Sequence, residues 1–371
     1  MKRTLTPSSN VLITGVTGLI GGELLRRLGR RVTRGHVWAL IRPSADGTPD
    51  DRLQQRLQRS GDTDPLGDNV TAVSGDIQLT NWGLSADDAI DVFGNVDVIV
   101  HSAADTSFAL SQATGQTNIE SVRRLIEFAG RCPRRPLIVY MSTANNIGDV
   151  AHRVVSEADG CQPDADHHNE YTHSKAIAED LLRTSGLPVL TLRPTIVLSA
   201  GLTDAKFARQ ILWCVPLSRI FQALPVDPEA RLDLVDVGFV ADATIALLEH
   251  PARSYDCYHL SAGPDGAASI GDLTEVVNRH YGRRSPLTLR APGEWKLSDF
   301  RACISSPLQR RIFAALKLYL PFLNMNVVFD DARLRGDLGA RGPAVRPARD
   351  YLGKLVDLIG TKAALKEAAL P

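Results

Sequence analysis

The stretch Val11-Leu12-Ile13-Thr14-Gly15-Val16-Thr17-Gly18-Leu19-Ile20-Gly21 decides the fold. Its first four residues are apolar or β-branched and read as a buried strand. From Leu19 the apolar residues recur at helical spacing. Strand passes into helix through glycines three apart. Gly15 permits a tight turn with positive φ. Gly18 lets the backbone approach a diphosphate, and Gly21 lets the helix pack on the strand. The helix N-terminus then offers N–H groups and partial positive charge to an anion. A glycine triplet alone is a weak signal, so its surroundings decide.

Those surroundings repeat the pattern. Val37–Ile41, Val70–Val73, Val96–His101, Leu137–Met141 and Val189–Arg193 read as strands with little polar alternation, as strands buried on both faces do. Leu19–Leu28, Asp50–Leu57, Ser85–Phe93, Gln116–Ala129 and Tyr171–Thr184 carry helical spacing. This alternation predicts the α/β class, a Rossmann-like doubly wound parallel sheet. Past Arg193 the regularity fades, with Pro216 and Pro225 as breakers, before a helix at Val237–Leu248 and a strand at Tyr258–Ser261. The expected division is an NADP-binding Rossmann domain over residues 1–195, to which 235–262 returns. A smaller, mostly helical substrate-binding lobe with the C-terminal helices takes 196–371.

Composition narrows the function. The chain has 371 residues, 44% of them hydrophobic, enough for a large core. Lys+Arg and Asp+Glu both number 42, a balance that speaks against nucleic acid as the main partner. Five cysteines, Cys132, Cys161, Cys214, Cys257 and Cys303, form no C-x-x-C pair, which suits a reducing compartment and offers no zinc site. There is no apolar run of about 18 residues and no export signal. The expectation is a soluble, cytoplasmic protein with no transmembrane segment. Monomer and homodimer stay open.

The next strong signal is Tyr171-Thr172-His173-Ser174-Lys175. Residues four apart share a helix face. An ammonium beside a phenol favours the phenolate and is expected to lower the Tyr171 pKa, so that the phenol exchanges a proton with a carbonyl oxygen. Upstream, the fifth strand ends Val139-Tyr140-Met141-Ser142-Thr143. A hydroxyl there faces the ligand crevice, and Thr143 is favoured over Ser142 to orient a substrate carbonyl. The second strand ends in Arg42, with no acid to bond a ribose 2′-hydroxyl; a permanent planar cation suits a 2′-phosphate, so NADP(H) is favoured over NAD(H).

Taken in order, Gly15, Gly18, Gly21, Gly75-Asp76, Thr143, Tyr171 and Lys175 resemble the extended short-chain dehydrogenase/reductase superfamily. The resemblance implies a cofactor held by Gly15, Thr17, Gly18, Leu19, Ile20 and Gly21. It further implies Asp76 and Ile77 at the adenine, Ala103 and Ala104 flanking the cofactor, and Lys175 on the nicotinamide ribose. Asn118 resembles an asparagine that positions a proton-relay water. Within the superfamily, Val37–Pro43 with Asp51-Arg52-Leu53, Val73–Ile77 with Gly83-Leu84-Ser85, Asp97–Ala104 and Arg193-Pro194-Thr195-Ile196-Val197 look like thioester reductases and fatty acyl-CoA reductases. Leu232–Val237 and Tyr319–Asp330 do so more loosely. Pro194, Thr195 and Ile196 are thereby implied at the cofactor. Asp105-Thr106-Ser107-Phe108 is more polar than that pattern.

The expected activity is therefore hydride transfer from NADPH to the carbonyl of an acyl thioester, presented by CoA or a separate carrier protein. The product would be an aldehyde, and after a second round an alcohol. Reduction of a ketone or aldehyde uses the same residues and is the main alternative. A sugar-nucleotide epimerase or dehydratase and a non-catalytic dinucleotide sensor are the others. Among weaker signals, Asp164-Ala165-Asp166-His167-His168 holds metal-ligating types, but adjacent histidines in a polar loop seldom share a metal and none is expected. Ile304, Leu308, Ile312, Leu316 and Leu320 recur every four residues, with Arg310, Arg311 and Lys317 off that face. They predict an amphipathic helix ended by Pro321, packed on the lobe, with peripheral membrane contact or capping of an acyl tunnel as alternatives. His101 and His259 are expected as core histidines.

Overall fold

Apolar segments, alternating with amphipathic ones, pair into a single parallel sheet in the computed structural model, which describes residues 3–45, 47–59, 66–106, 112–201, 212, 215–282 and 286–359. The strands are β1 (Val11–Thr14), β2 (Val37–Ile41), β3 (Val70–Ser74), β4 (Val98–His101), β5 (Leu137–Met141), β6 (Val189–Pro194) and β7 (Cys257–Leu260), in spatial order β7-β6-β5-β4-β1-β2-β3. Every residue of β1, β2, β4 and β5 is buried, as a sheet covered on both faces requires.

The covering helices are α1 (Leu19–Arg31), α2 (Pro49–Arg59), α3 (Ala86–Asn95), α4 (Gln112–Arg131), α5 (Glu170–Thr184) and α6 (Val237–Glu249). Successive strand residues point to opposite faces. Val11 and Ile13 accordingly pack with Leu24 and Leu28 of α1 and Val240 and Leu247 of α6. Leu12 and Ile99 pack with Leu125 and Phe128 of α4, Leu182 of α5 and Trp82.

The strand boundaries follow the sequence with small shifts. β4 starts at Val98 because Val96 closes α3, its N–H bonding Val92 O at 3.0 Å. Strand order reverses at β1, where β2 continues one way and β4 the other, and Thr14 lies level with His101. A crevice opens beyond the carboxyl ends of strands at such a reversal.

A second apolar cluster collects Leu198, Phe221, Leu224, Leu273, Ile312, Leu316 and Leu352, all from beyond β6. Between its contributors β7 returns to the sheet edge, pairing Cys257–Leu260 with Thr191–Pro194.

The stripe at residues 304–320 is not one helix. Ile304 caps the end of α7 (Leu297–Cys303), Leu308, Ile312 and Leu316 lie on α8 (Pro307–Leu316), and Leu320 opens α9 (Leu320–Asn324). Ser306 starts α8 with a reciprocal cap: its Oγ accepts from Gln309 N at 3.1 Å, and Gln309 Oε1 accepts from Ser306 N at 3.0 Å. Such a cap fixes a helix start inside an otherwise helical period. Pro321 does not end a helix; it lies in the first turn of α9, where its missing N–H costs nothing. Ile312 and Leu316 face the second cluster, whereas Leu308 is 42% exposed. Among the described residues no helix is long and apolar enough to cross a membrane.

Candidate active site

The turn after β1 is built from backbone. Gly15 has φ +76°, and a Cβ there would lie 2.6 Å from Ala103 N; a Cβ on Gly21 would lie 2.2 Å from Gly15 O. Gly18 N–H donates to Gly15 O at 2.9 Å. Gly18 caps α1 without a side chain, and Leu19, Ile20 and Gly21 form the first turn, whose N–H groups have no intrahelical partner. Sequence reasoning missed what braces this turn. Arg56 of α2, 3% exposed, donates from Nε to Gly18 O at 3.2 Å and from Nη2 to Leu19 O at 3.4 Å.

The resulting cleft, about 680 Å³, is lined by Gly15, Thr17, Gly18, Arg42, Asp76, Ile77, Ala103, Ala104 and Asn118 of the expected residues. Bare backbone at the turn, an uncapped helix start and cations at the far end together fit a dinucleotide. Arg42 is exposed at the end of β2, and its carbonyl accepts from Arg52 Nη1. Arg52, on α2, lines the same cleft and is a second cation that the sequence reading left unassigned. Asp76 accepts from Gln78 N at 3.0 Å, which closes the loop after β3. Asn118 bonds both backbone groups of Asp105, at 2.8 and 3.0 Å, and reaches Ser174 Oγ at 3.1 Å, tying the loop after β4 to α5. Ser107 and Phe108 lie outside the described residues, as does Cys214.

Thr143, Tyr171 and Lys175 do not line that cleft; Thr143 lies two residues past the end of β5, and Tyr171 and Lys175 lie in the first turns of α5. Asn169 caps α5, accepting from Thr172 N at 2.9 Å, and so sets Tyr171 in the first turn. Lys175 is 3% exposed, donates from Nζ to Met141 O at 2.6 Å, and lies 4.5 Å from the Tyr140 ring centre. Burial pulls its pKa down to about 7. Burial likewise pushes Tyr171 up to about 12, so the expected lowering by Lys175 is not found. The ammonium is committed to the Met141 carbonyl and the Tyr140 face, and desolvation dominates the phenol. Tyr171 is thereby held protonated, the form that can give a proton. Thr143 Oγ1 accepts from Asn145 N at 3.3 Å, which leaves its own hydrogen to donate. Ser142 turns inward and donates to Glu179 Oε2 at 2.7 Å.

Pro194, Thr195 and Ile196 lie past the end of β6. Thr195 Oγ1 donates to Asp233 Oδ1 at 2.9 Å, and Ile196 begins a short strand paired with Leu234–Asp236. Thr195 and Ile196 line a separate cavity of about 20 Å³ that also includes Asn145, Arg231, Asp233 and Phe322. His101 Nδ1 meets Thr14 Oγ1 at 3.1 Å, and burial lowers its pKa to about 3. His259 Nδ1 bonds Asp330 O at 2.8 Å. His167 reaches Gln162 O at 2.8 Å and His168 reaches Asp149 Oδ1 at 3.0 Å, so the two imidazoles diverge. A larger cleft of about 920 Å³ lies toward the opposite ends of β5 and β6; its lining mixes apolar residues with charged ones, among them the ion pairs Arg183–Asp180 and Arg193–Glu179.

The reversing sheet and the backbone cradle define an extended short-chain dehydrogenase/reductase fold with a site for a nicotinamide dinucleotide. The chain belongs to the male sterility protein family of NAD-binding proteins, whose sequence profile matches residues 13–244. It is 25% identical to fatty acyl-CoA reductase 1 of Rattus norvegicus over 322 residues, covering 75% of this chain and 62% of that protein. It spans less than two thirds of the first curated relatives it matches. Among solved structures it resembles the terminal R domain of the myxalamid PKS-NRPS biosynthetic pathway, with TM-score 0.76, 22% identity, and coverage of 100% of this chain and 93% of that one. A thiolation-reductase di-domain from an archaeal non-ribosomal peptide synthetase gives TM-score 0.72, 18% identity, and coverage of 98% and 77%.

Proposed function

We propose that this protein reduces the carbonyl of an acyl thioester, with NADPH as its hydride donor. The observation that carries the reading is the Asn118–Ser174 bond, which ties a residue lining the glycine-turn cleft to the first turns of α5, the helix that holds Tyr171 and Lys175. NADPH, when bound, supplies the hydride that adds to the carbonyl carbon. The Thr143 hydroxyl donates to the carbonyl oxygen and sets its orientation. Tyr171 gives that oxygen its phenolic proton. Lys175, with ammonium hydrogens beyond the one given to Met141 O, would hold the ribose hydroxyls of the bound cofactor. Asn118 holds the loop after β4 and the start of α5 in register. The product of this step is a hemithioacetal, whose C–S bond then breaks to release aldehyde and free thiol. A second turnover on the aldehyde gives the alcohol.

Arg42 and Arg52 support NADP over NAD, because both cations line the cleft and no carboxylate occupies the end of β2. The likeness to fatty acyl-CoA reductase 1 and to a thiolation-reductase di-domain supports a thioester carried by CoA or by a separate carrier protein. The test is NADPH oxidation with a panel of acyl-CoAs, aldehydes and ketones. Oxidation with acyl-CoAs is expected, and Tyr171→Phe should lower turnover ~10²- to 10⁴-fold while NADPH still binds. Turnover of ketones alone would overturn the proposal.

A further inference from the structure

One buried carboxylate beside the catalytic group has no part in the chemistry above. Glu179 lies one helical turn beyond Lys175 on α5 and is 4% exposed. Its Oε2 accepts from Ser142 Oγ and from Asn146 Nδ2, both at 2.7 Å. Its Oε1 accepts from Arg193 Nε at 3.1 Å and from Arg193 Nη2. Ser142, Asn146 and Arg193 are each 3% exposed or less. Burying an ion pair is costly, and a purely structural pair is often replaced by apolar residues without loss. Two features give this one a use. Ser142 is the residue before Thr143, so the carboxylate anchors the strand end that presents the Thr143 hydroxyl. Residues four apart share a helix face, so the carboxylate also lies beside the Lys175 ammonium.

We propose that Glu179 is a positioning residue: its carboxylate, held by Arg193, keeps Lys175 an ammonium and, through Ser142, fixes Thr143. It touches neither substrate nor cofactor. The charge claim concerns Lys175 itself. Only the consequence for turnover rests on the function proposed above.

The groups around Lys175 leave this task to Glu179. His101 faces it from β4, Tyr140 from β5 and Tyr171 from its own helix; Arg193 on β6 and Cys161, in the loop before α5, stand around Glu179. Burial lowers His101 to about 3 and raises Tyr171 to about 12 and Cys161 to about 11, and it raises Tyr140 as well. Near neutral pH these groups carry no charge. That leaves the Glu179–Arg193 pair, whose negative member acts against the desolvation that pulls Lys175 down. Removing that charge lowers the Lys175 pKa further. Because the ammonium is lost as pH rises through that pKa, the alkaline limb of any Lys175-dependent process moves to lower pH.

The experiment follows the NMR titration of lysine Cε in protein carbon-13-labelled at that position, with the Lys175 signal assigned by its loss in Lys175→Met. Glu179→Gln keeps the shape and the Ser142 bond. Glu179→Gln/Arg193→Met also removes the orphaned guanidinium, should the single variant not fold. A downward shift of about one to two pH units is expected in Glu179→Gln, and a smaller downward shift in the double variant, where loss of the guanidinium partly offsets loss of the carboxylate. The alkaline limb of acyl-CoA reduction should move with it, with activity recovering as pH is lowered. An unchanged Lys175 titration overturns the proposal, as does a wild-type Lys175 already neutral below pH about 6. Failure of every variant and the wild type to oxidise NADPH with acyl-CoAs would count against the thioester reading alone, because the titration needs no substrate.

Discussion

The single residues proposed to set cofactor choice and catalysis differ in how legible they are. Gly15, Gly21, Tyr171 and Lys175 could be named from spacing, because a turn with no room for Cβ and a four-residue helical repeat leave local marks. Arg56 could not be. Its guanidinium braces the turn from a helix about forty residues on, and nothing in the order of residues says that it points inward. The same holds for Arg52, and for Glu179, whose partners Ser142 and Arg193 come from two different strands. The Tyr171 pKa went the other way from expectation because charge pairs are visible in a sequence and desolvation is not. For the cleft cations, Arg42→Ala and Arg52→Ala should each weaken NADPH binding by about tenfold or more, the worth of a charge-assisted hydrogen bond, and NADH binding little. Fluorescence titration with both cofactors checks this, and equal losses would show that neither arginine reads the phosphate.

At the level of elements, the strands were readable because each is an unbroken apolar run between two helical periods. The stripe at residues 304–320 shows the limit of that method. Its four-residue repeat survives across a break, because α8 buries Ile312 and Leu316 in the cluster against which the partly buried Leu320 and Leu323 of α9 pack. The break itself had a signature, Ser306-Pro307-Leu308-Gln309, a capping box with proline at the first helical position. A continuous stripe would make Leu308 and Ile312 equivalent. The folded structure makes them unequal: Ile312 is fully buried, and Leu308 is 42% exposed. Ile312→Ala should cost about 2–4 kcal/mol of stability and Leu308→Ala about 0.5 kcal/mol or less. Urea denaturation of the two variants distinguishes these cases, and similar losses would argue for one continuous buried face.

Over the whole molecule, buried titratable groups should shape stability against pH in two opposed sets. His101 and His259 are lowered by burial to about 3. The unfolded chain binds their protons first, so their stabilising contribution is full above pH about 6.5 and falls as pH drops toward 3, by about 1.4 kcal/mol per histidine per pH unit. Burial raises Glu157 to about 7 and Asp233 to about 6. The folded chain takes those protons first, so acidification from neutrality toward pH about 4 favours folding through them. With two groups in each set, stability should change little between pH about 6 and 4.5 and then decline steeply. Thermal melts across that range test it; a steady fall starting at pH 6.5 would mean that the carboxylates do not offset the histidines.

The late arrival of β7 matters before the molecule is finished. Its neighbour β6 is complete at Pro194, yet Cys257 is some sixty residues further along the chain. During synthesis β6 therefore waits as an open edge, its backbone donors and acceptors unclaimed, while the intervening segment emerges from the ribosome. Thr191 and Arg193, the latter bonded to Glu179, lie on that waiting strand. The Glu179–Arg193 pair thus forms beside a sheet margin that remains adhesive until the nascent chain delivers β7.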